Sequence, residues 1–353
     1  MTEISGLDLH FLTKELQTLI GGRIEKIYQW NKQEFLFKIN TKTGKKELKI
    51  NLPNQIFITN DRKESPQKPL HFCEYLRKHI QKSTIEEIKQ HGFERILEIY
   101  LKYRDQKQIL IIELFRPGNI ILVEGGIIKN SLETKNFKDR KIEPKEKFQY
   151  PPLKINTKTS TKQEILEILN TSKTEIAKTL ATKLGFGGKY ADEITKRANL
   201  QKNLNFQDLK QEQKENLIQN IQSIFKQDLE PEHDEKEAYS IHMTTIPNLK
   251  KTNTLSKAIQ NTQNIEKEKP KEDKKIIKVK KVIEQQEQRM IELKKEIQEN
   301  QQKAEKIYEK YQEIKQILDE AKKTFKEKNT ESLKENEKIK KIDKKDKKIT
   351  IKL

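Results

Sequence analysis

The stretch RILEIYLKYRDQKQILIIELFRPGNIILV, residues 95–123, decides the fold of the N-terminal half of the chain. Three apolar or alternating runs lie within it, at residues 95–103, 108–115 and 119–123. Pro117 and Gly118 stand between the last two runs, and these residue types favour a tight turn. Runs of this kind separated by turns are typical of antiparallel strands, so the stretch predicts a small antiparallel sheet.

The residues before this stretch predict helices and further strands. Ser5 is a suitable N-cap for a first helix, in which leucines recur at three- and four-residue spacing until Gly21-Gly22 ends it. Alternating or apolar runs predict three more strands, at residues 34–39, 46–52 and 55–59. A second helix is expected over residues 70–81. Residues 1–150 are therefore expected to form an α+β domain with antiparallel sheet.

Downstream of residue 161 the pattern is mostly helical. The expected segments are a helix-hairpin-helix domain at 161–228, a short β and helical return segment at 229–262, a coiled-coil arm at 274–328 and a basic tail at 329–353. The polar residues that lead up to Pro270 are expected to be mostly unstructured. The predicted fold is thus an α+β N-terminal domain with antiparallel sheet, followed by a helical helix-hairpin-helix domain and a long coiled-coil helix.

The coiled-coil arm is predicted from a seam of alternating three- and four-residue steps. Its positions are Ile276, Val279, Ile283, Gln286, Met290, Leu293, Ile297, Asn300, Ala304, Ile307, Tyr311, Ile314, Leu318, Ala321 and Phe325. This spacing predicts about seven uninterrupted heptads in one helix roughly 75 Å long. Gln286 and Asn300 are polar seam positions, which cost stability but can fix the register and the number of partners.

Composition favours a polyanionic partner. The net charge is +19 and the sequence pI is near 9.5, and such an excess favours phosphate-rich ligands through counterion release. The single cysteine, Cys73, excludes an internal disulfide framework and a cysteine-based zinc ribbon. Neither a signal peptide nor an apolar run of membrane-spanning length is visible, so a cytoplasmic protein without membrane contact is expected.

The most specific candidate site is the sequence GFGGKYA, which is typical of a helix-hairpin-helix motif. Gly185, Gly187 and Gly188 suit a tight turn, after which the free amides of a helix N-terminus can face a phosphate, and Lys189 adds a positive charge. The alternative is a corner where two helices pack and touch only protein.

Further candidates are basic and amide side chains beside apolar scaffolds. Arg77 and Lys78 are expected on the polar side of the second helix, and Glu94-Arg95 at a helix-to-strand junction. Arg116 and Asn119 flank the predicted turn. Taken singly, each is more often an ordinary surface or turn residue. The chain has no recognisable nucleophile–base pair or metal-ligand cluster, so neither an enzyme nor a cofactor is expected.

The order of these motifs resembles the N-terminal domain of the NFACT proteins. The order is SGLDL, LPNQIFIT, FCEYLRKHI, HGFERILEI, ELFRPGNIIL and Tyr150-Pro151-Pro152, followed by the hairpin and the heptads. NFACT proteins are ribosome quality-control factors, once described as fibronectin-binding proteins. The resemblance implies a non-catalytic adaptor that binds the large ribosomal subunit and recruits tRNA, chiefly alanyl-tRNA, so that the ribosome adds a C-terminal tail to a stalled peptide.

The resemblance also implies roles for individual residues. Asp8 matches an acidic tRNA-contacting residue of the first helix, Arg77 matches the basic residue of the RKH motif, and Glu94-Arg95 matches an Asp-Arg pair. Arginine can clamp phosphates or base edges, and carboxylates can accept hydrogen bonds from base amino groups. Glutamate in place of aspartate is one methylene longer, which would alter how tRNA is positioned.

A second departure concerns the coiled coil. Family members continue past the first arm with a middle domain, a returning arm and a small RNA-binding domain, whereas this sequence stops soon after Phe325. The exposed seam is therefore expected to pair with a second polypeptide or to self-associate.

Three alternatives remain. The first is a coiled-coil nucleic-acid-binding scaffold without tailing activity. The second is a DNA-binding protein similar to formamidopyrimidine-DNA glycosylases, although Thr2 replaces their N-terminal proline and one cysteine cannot build their zinc finger. A surface adhesin, the third, is opposed by the missing export signal and the positive charge.

Overall fold

The computed structural model describes residues 3–61, 64–66, 68–137, 139–152, 155–268, 274–327, 333, 335–343 and 346–352. The side chains of residues 263–281 and 284 lie outside this description. The chain divides into two compact units, Met1–Lys269 and Pro270–Leu353.

The first unit is built on one large antiparallel sheet. Its strands are β1 (Arg23–Gln29), β2 (Glu34–Thr41), β3 (Gly44–Asn51), β4 (Gln55–Thr59), β5 (Thr84–Gln90), β6 (Ile96–Tyr103), β7 (Gln106–Glu113), β8 (Asn119–Glu124) and β9 (Ile127–Ser131). Within the described residues these nine strands follow the order β4-β3-β2-β1-β5-β6-β7-β8-β9. The register between β1 and β5 is short, with Arg23 opposite Thr84, so two broader halves of the sheet meet there.

The α+β fold with antiparallel sheet is confirmed, and all six predicted strands are present as β2, β3, β4, β6, β7 and β8. The sequence pattern failed to predict β1, β5 and β9. Register shifts fall at Ile24/Lys26 in β1, at Ile85/Glu87 in β5 and at Leu122/Val123 opposite β9. Such bulges interrupt the two-residue alternation by which a strand is recognised.

Two helices pack on this sheet near the chain start. Helix α1 (Gly6–Leu16) begins with a capping box, in which the Ser5 side chain accepts from the Asp8 amide and the Asp8 carboxylate accepts from the Ser5 amide. This confirms the predicted N-cap. Helix α2 (His71–Ile80) packs against β1 and buries Phe72, Cys73, Leu76 and Ile80.

One apolar core joins both halves of the sheet with α1 and α2. It includes Leu9, Ile27, Phe37 and Leu97, which are at most 2% exposed. The opposite face of β6, β7 and β8 buries a smaller cluster that contains Ile96, Ile111, Ile121 and Val123. These central strands are buried on both faces, which explains their nearly continuous apolar sequence.

The rest of the first unit adds short strand pairs and helices. They are β10 (Lys135–Asn136), β11 (Lys141–Ile142), α3 (Lys162–Thr171), α4 (Ile176–Thr182), α5 (Gly188–Arg197), α6 (Gln211–Ser223), β12 (Glu232–His233), β13 (Ala238–Tyr239), β14 (Lys250–Lys251) and α7 (Leu255–Glu268). The expectation that the residues before Pro270 are mostly unstructured is wrong for α7. This helix packs on β4 and buries Leu255, Ala258 and Ile259, an apolar stripe too short to stand out in a polar segment.

The second unit contains helices α8 (Lys274–Glu309) and α9 (Tyr311–Lys326) and a hairpin of β15 (Ile339–Asp343) and β16 (Lys348–Ile351). The prediction of one uninterrupted helix is wrong, because the helix is broken at Lys310 (φ −102°, ψ 19°). The seam residues Ile276 and Val279 lie outside the described side chains. Part of the predicted basic tail forms the hairpin, in which Ile342 pairs with Ile349.

Among the described residues, no helix combines the length and the apolar character needed to cross a bilayer.

Candidate nucleic-acid interface

A cleft of about 710 Å³ lies where three distant parts of the first unit meet. The parts are the residues just before α1, the turn between β5 and β6 (residues 91–95, the β5–β6 turn), and the loop between α4 and α5 (residues 183–187, the α4–α5 hairpin). Side chains that line it include Glu3, Phe93, Glu94, Arg95, Phe115, Pro152, Lys183 and Lys189. The cleft therefore brings together two groups of residues that the sequence singled out separately.

The three parts meet through a close backbone approach at Gly6. A Cβ atom at this position would lie 2.6 Å from the Phe93 carbonyl oxygen and 3.5 Å from the Gly185 carbonyl oxygen. The Gln90 side-chain amide donates to the carbonyl oxygens of both Gly6 and Glu94, at 2.9 Å each. Glycine is thus required at position 6 for steric reasons.

Aromatic packing holds the hairpin against the sheet beneath the cleft. The Phe93 ring contacts those of Phe186 and Phe225, with centroids 5.3 Å and 5.0 Å apart. Phe186 and Phe225 are themselves 5.6 Å apart. This three-ring cluster fixes the α4–α5 hairpin relative to the β5–β6 turn, so the width of the cleft is set by rigid packing.

Arg95 is the predicted arginine that lines the cleft. Its side chain is 28% exposed and forms an ion pair with Glu3, the latter 45% exposed. Glu94 lines the same cleft beside it. The two residues were expected at a helix-to-strand junction, which is wrong: the β5–β6 turn joins two strands, because β5 was not predicted.

The buried carboxylate of Glu98 holds the β5–β6 turn in place through its hydrogen bonds. Glu98, 2% exposed, accepts hydrogen bonds from the hydroxyls of Tyr100 (2.6 Å) and Tyr150 (2.8 Å) and lies 2.9 Å from Nδ1 of His91. The His91 and Tyr150 rings stack with centroids 3.6 Å apart. Burial, with the hydrogen bond to Glu98, raises the pKa of the Tyr150 hydroxyl, which therefore remains a hydrogen-bond donor at neutral pH.

The α4–α5 hairpin has the geometry that the glycine pattern predicted. Gly185 and Gly187 adopt φ values of +76° and +75°, which favour glycine, and α5 begins at Gly188. A Cβ at Gly188 would meet no atom within 4 Å, so this backbone borders open space in the cleft. The first amides of α5 have no intrahelical partner, as at any helix N-terminus, so they are available to a phosphate bound in the cleft.

Lys189 and Asp8 do not face a ligand, which corrects the expectation of a free positive charge on the hairpin. The Lys189 ammonium lies 2.8 Å from the carboxylate of Asp8, which is 1% exposed, and donates to the Ala238 carbonyl at 2.7 Å. The Tyr190 hydroxyl donates to the other Asp8 oxygen, and Ser240 lies 2.8 Å from that hydroxyl. Together they form a buried polar network that ties α5 to α1.

Arg77 and Lys78 are separated from this site, since neither lines the cleft in the part of the chain that the structure describes. Arg77 does not project from the polar side of α2 as expected. Its Nε donates to the Ile27 carbonyl at 2.7 Å, and its guanidinium lies 5.6 Å from the centre of the Tyr28 ring. Lys78 is exposed, as predicted.

Arg116 and Asn119 have different surroundings. Arg116 is exposed and follows Phe115, which lines the cleft. Asn119 is 4% exposed, and its amide donates to the Glu133 carbonyl at 2.9 Å and accepts from the Glu133 and Ile120 amides. The Asn119 side chain is thus occupied in joining β8 to the loop that follows β9, so the structure corrects its assignment to a ligand contact.

Three charged residues at the cleft, Glu3, Lys183 and Glu237, were missed by sequence reasoning. Lys183 is an exposed cation directly before the hairpin glycines, and its position beside them was the only available signal. Glu3 was not recognised because its partner Arg95 is distant in sequence. Among the described lining residues, three cations face three carboxylates, so affinity for a polyanion must also use the backbone amides of α5.

Within the described residues, no group of three or more histidine, cysteine or carboxylate side chains is arranged to hold a metal ion. The site instead offers amide donors, the accessible cations of Arg95 and Lys183, and carboxylates between apolar walls. Such a set can bind phosphate and the polar edges of bases.

A family model matches almost the whole chain. The model, described as NFACT N-terminal and middle domains, matches residues 5–353, so the chain belongs to the NFACT family. The archaeal Rqc2 homolog aRqcH of Methanocaldococcus jannaschii is 31% identical over 237 residues, which cover 64% of this chain and 35% of that protein. The Rqc2 homolog RqcH of Bacillus subtilis is 28% identical over 55% of this chain and 37% of its own length.

The fold is also similar to a solved structure. The N-terminal part of the fibronectin/fibrinogen-binding protein from Streptococcus suis superposes with a TM-score of 0.63 and 25% identity, covering 74% of this chain and 99% of that one. The predicted resemblance to NFACT proteins is therefore confirmed. The chain spans about a third of the length of the curated relatives it matches.

Proposed function

We propose that this protein is a non-catalytic ribosome quality-control factor that binds the large ribosomal subunit and tRNA in the cytoplasm. The observation that carries the proposal is the cleft in which Arg95 and Glu94 lie opposite the α4–α5 hairpin. Family membership supports the same function, because the curated relatives are named as Rqc2 homologs.

The chemistry of the cleft suits tRNA better than a small substrate. The amides at the start of α5 and the cations of Arg95 and Lys183 can bind successive phosphates of one strand. Glu94 can accept a hydrogen bond from a base amino group, and Phe115 and Pro152 offer apolar surface beside it. RNA of irregular shape presents both kinds of group to such a surface.

The residues in this proposal have distinct roles. Arg95, Lys183, Glu94 and the backbone of Gly185, Gly187 and Gly188 contact tRNA, with Arg116 beside them. Asp8, Lys189 and Tyr190 hold the hairpin in place from inside. Lys78 is a separate exposed cation on α2.

Delivery of alanyl-tRNA and C-terminal tailing of a stalled peptide are part of the proposal, since they are implied by the family. The second candidate is a coiled-coil nucleic-acid-binding scaffold without tailing activity. It is favoured by one observation, the exposed apolar seam of α8, which offers a protein-binding surface independent of the cleft.

Co-sedimentation with purified large ribosomal subunits tests the proposal, with and without bound peptidyl-tRNA. Arg95→Ala should reduce tRNA-dependent binding about tenfold, the range expected when one charge-assisted contact to phosphate is lost. Arg104→Ala is the matched control, because it removes an exposed arginine at the other end of β6, about 30 Å away at 3.3 Å per residue. Equal binding by both variants would reject the assignment of the cleft.

A further inference from the structure

A second pocket, of about 250 Å³, lies on the side of β1, β2 and β3 that faces away from the main core. It is lined by Tyr28, Trp30, Leu36, Lys38, Glu47, Glu64 and Ser65. Among the described residues, its lining shares no member with that of the tRNA cleft. Two aromatic rings on this side of the sheet are notable, because the side of an antiparallel sheet that borders solvent is usually polar.

Strand register places the two rings on one face. Tyr28 and Trp30 are two positions apart, at the end of β1 and directly after it, so their side chains point to the same side. Their ring centroids are 6.1 Å apart. Leu36 stands opposite Tyr28 on β2 and is only 4% exposed, so the pocket has an apolar floor.

The Trp30 ring is held in place by its polar edge. Its indole nitrogen donates a hydrogen bond to the Glu64 carbonyl oxygen at 2.9 Å. The side chain is half-buried, so part of the ring remains accessible where it lines the pocket. A ring that is already fixed loses little conformational freedom when a flat group stacks on it.

Positive charge surrounds this pocket. Residues 23–51, which form β1 to β3 and their turns, contain eight lysine or arginine side chains and three glutamates. The Lys38 ammonium and the Arg77 guanidinium lie 5.5 Å and 5.6 Å from the centre of the Tyr28 ring. Lys38 also pairs with Glu47 at 3.0 Å, which neutralises a carboxylate of the pocket.

These charges discriminate between possible ligands. An ammonium or guanidinium group of a protein partner would be repelled by Lys38 and Arg77, which already lie beside the Tyr28 ring. An apolar side chain would gain nothing from the surplus of cations. A nucleotide gains from both features, since its base can stack on an aromatic ring while its phosphate is attracted by the cations.

We propose that the pocket of Tyr28 and Trp30 binds an unpaired base of single-stranded RNA by stacking. The bases of a duplex are covered by their neighbours, so the pocket selects single strands, loops or ends. Arg77 contributes by placing a cation beside Tyr28. This inference does not depend on the tRNA cleft, because no described residue of the cleft takes part.

Fluorescence tests the proposal directly, because Trp30 is the single tryptophan of the chain. The full chain with Arg95→Ala/Lys183→Ala, which lacks two cations of the cleft, is titrated with single-stranded oligoadenylate of about sixteen nucleotides. Stacking on Trp30 should quench its fluorescence. The same oligoadenylate annealed to oligouridylate is the matched control, and it should bind through its phosphates with little quenching.

Two substitutions separate stacking from apolar contact. Trp30→Phe keeps an aromatic face, whereas Trp30→Leu keeps only apolar volume. Both variants lose the hydrogen bond to Glu64, so this loss is common to them. In the same Arg95→Ala/Lys183→Ala chain, fluorescence anisotropy with labelled oligoadenylate should show a Kd raised roughly five- to hundredfold by Trp30→Leu and less than about threefold by Trp30→Phe.

Absence of quenching by oligoadenylate, or equal quenching by the duplex, would overturn the proposal. Equal Kd values for Trp30→Phe and Trp30→Leu would overturn it as well. The tRNA cleft is judged separately: if Arg95→Ala/Lys183→Ala binds tRNA as wild type does but is still quenched by oligoadenylate, the cleft assignment fails and the pocket stands.

Discussion

At the scale of single residues, the carboxylate of Glu3 competes with a tRNA phosphate for the guanidinium of Arg95. Glu3 pairs with Arg95, so a tRNA phosphate has to displace a carboxylate before it can bind the guanidinium. Glu3→Gln keeps the size of the side chain but removes this competition and one repulsive charge. We expect tRNA affinity to rise about three- to tenfold, measured by fluorescence anisotropy with labelled tRNA.

Glu237→Gln is a suitable control for Glu3→Gln, since it removes another carboxylate of the cleft that no ion pair in the described residues joins to Arg95. Glu237→Gln should raise tRNA affinity less than Glu3→Gln does. Equal gains in both variants would show that net charge, and not the release of Arg95, determines affinity.

A second residue, His10, links stability to pH. Burial, followed by the nearby positive charges of Lys158 and Lys14, lowers its pKa to about 4. The unfolded chain protonates His10 below about pH 6.5, whereas the folded chain stays neutral until about pH 4. Its contribution is therefore complete above pH 6.5 and is lost as pH falls, by about 2 kcal/mol between pH 7 and pH 5.

Urea unfolding of wild type and His10→Gln at both pH values measures this contribution. The variant should lose less stability than wild type on acidification, with the difference near 2 kcal/mol. Parallel losses in the two proteins would assign the pH dependence to other groups.

At the scale of elements, the contact between α1, the β5–β6 turn and the α4–α5 hairpin depends on Gly6. Gly6→Ala places a methyl group 2.6 Å from the Phe93 carbonyl oxygen, and the backbone there cannot move aside cheaply. We expect a loss of about 1 to 3 kcal/mol in urea unfolding. Weaker tRNA binding should accompany it, because the parts of the cleft separate.

Gly188→Ala separates the loss of stability from the loss of tRNA binding. Its methyl group enters open space at the start of α5, so the free energy of unfolding should change by less than about 0.5 kcal/mol. If phosphate approaches the amides of α5, tRNA affinity should nevertheless fall. Unchanged affinity in Gly188→Ala would contradict the hairpin contact.

The elements show which parts of the fold can be predicted from the sequence. β6, β7 and β8 were predicted because both of their faces are buried over much of their length and their sequences contain long apolar or alternating runs. β5 (TIEEIKQ) has one apolar face and a bulge at Ile85/Glu87, so neither alternation nor an apolar run marks it. The break at Lys310 has no proline or glycine to indicate it, and the seam continues across it.

The candidate site was predictable in part. Sequence patterns identified several of its residues but not the contacts between them. Glycine spacing identified the α4–α5 hairpin, and motif order identified Glu94 and Arg95. That Lys189 is neutralised by Asp8, 181 positions earlier, depends on tertiary packing that no local pattern records. The same holds for the pairing of Glu3 with Arg95.

At the scale of the whole molecule, net charge and cleft geometry are competing explanations of tRNA binding. The chain carries +19, whereas the described cleft residues are balanced in charge. Charge alone would bind any polyanion, and removing cations anywhere would weaken binding equally. A defined cleft should instead make the effect depend on position.

The salt dependence of tRNA binding distinguishes these explanations most directly. We would compare Arg95→Ala/Lys183→Ala with Arg104→Ala/Lys107→Ala, a matched pair of exposed cations in the β6–β7 hairpin. The cleft variant should bind at least about tenfold more weakly at every salt concentration, and the slope of log Kd against log salt should fall by about 1 to 2. The control should retain the wild-type slope. Equal losses of affinity and slope in both variants would contradict the cleft as the tRNA site.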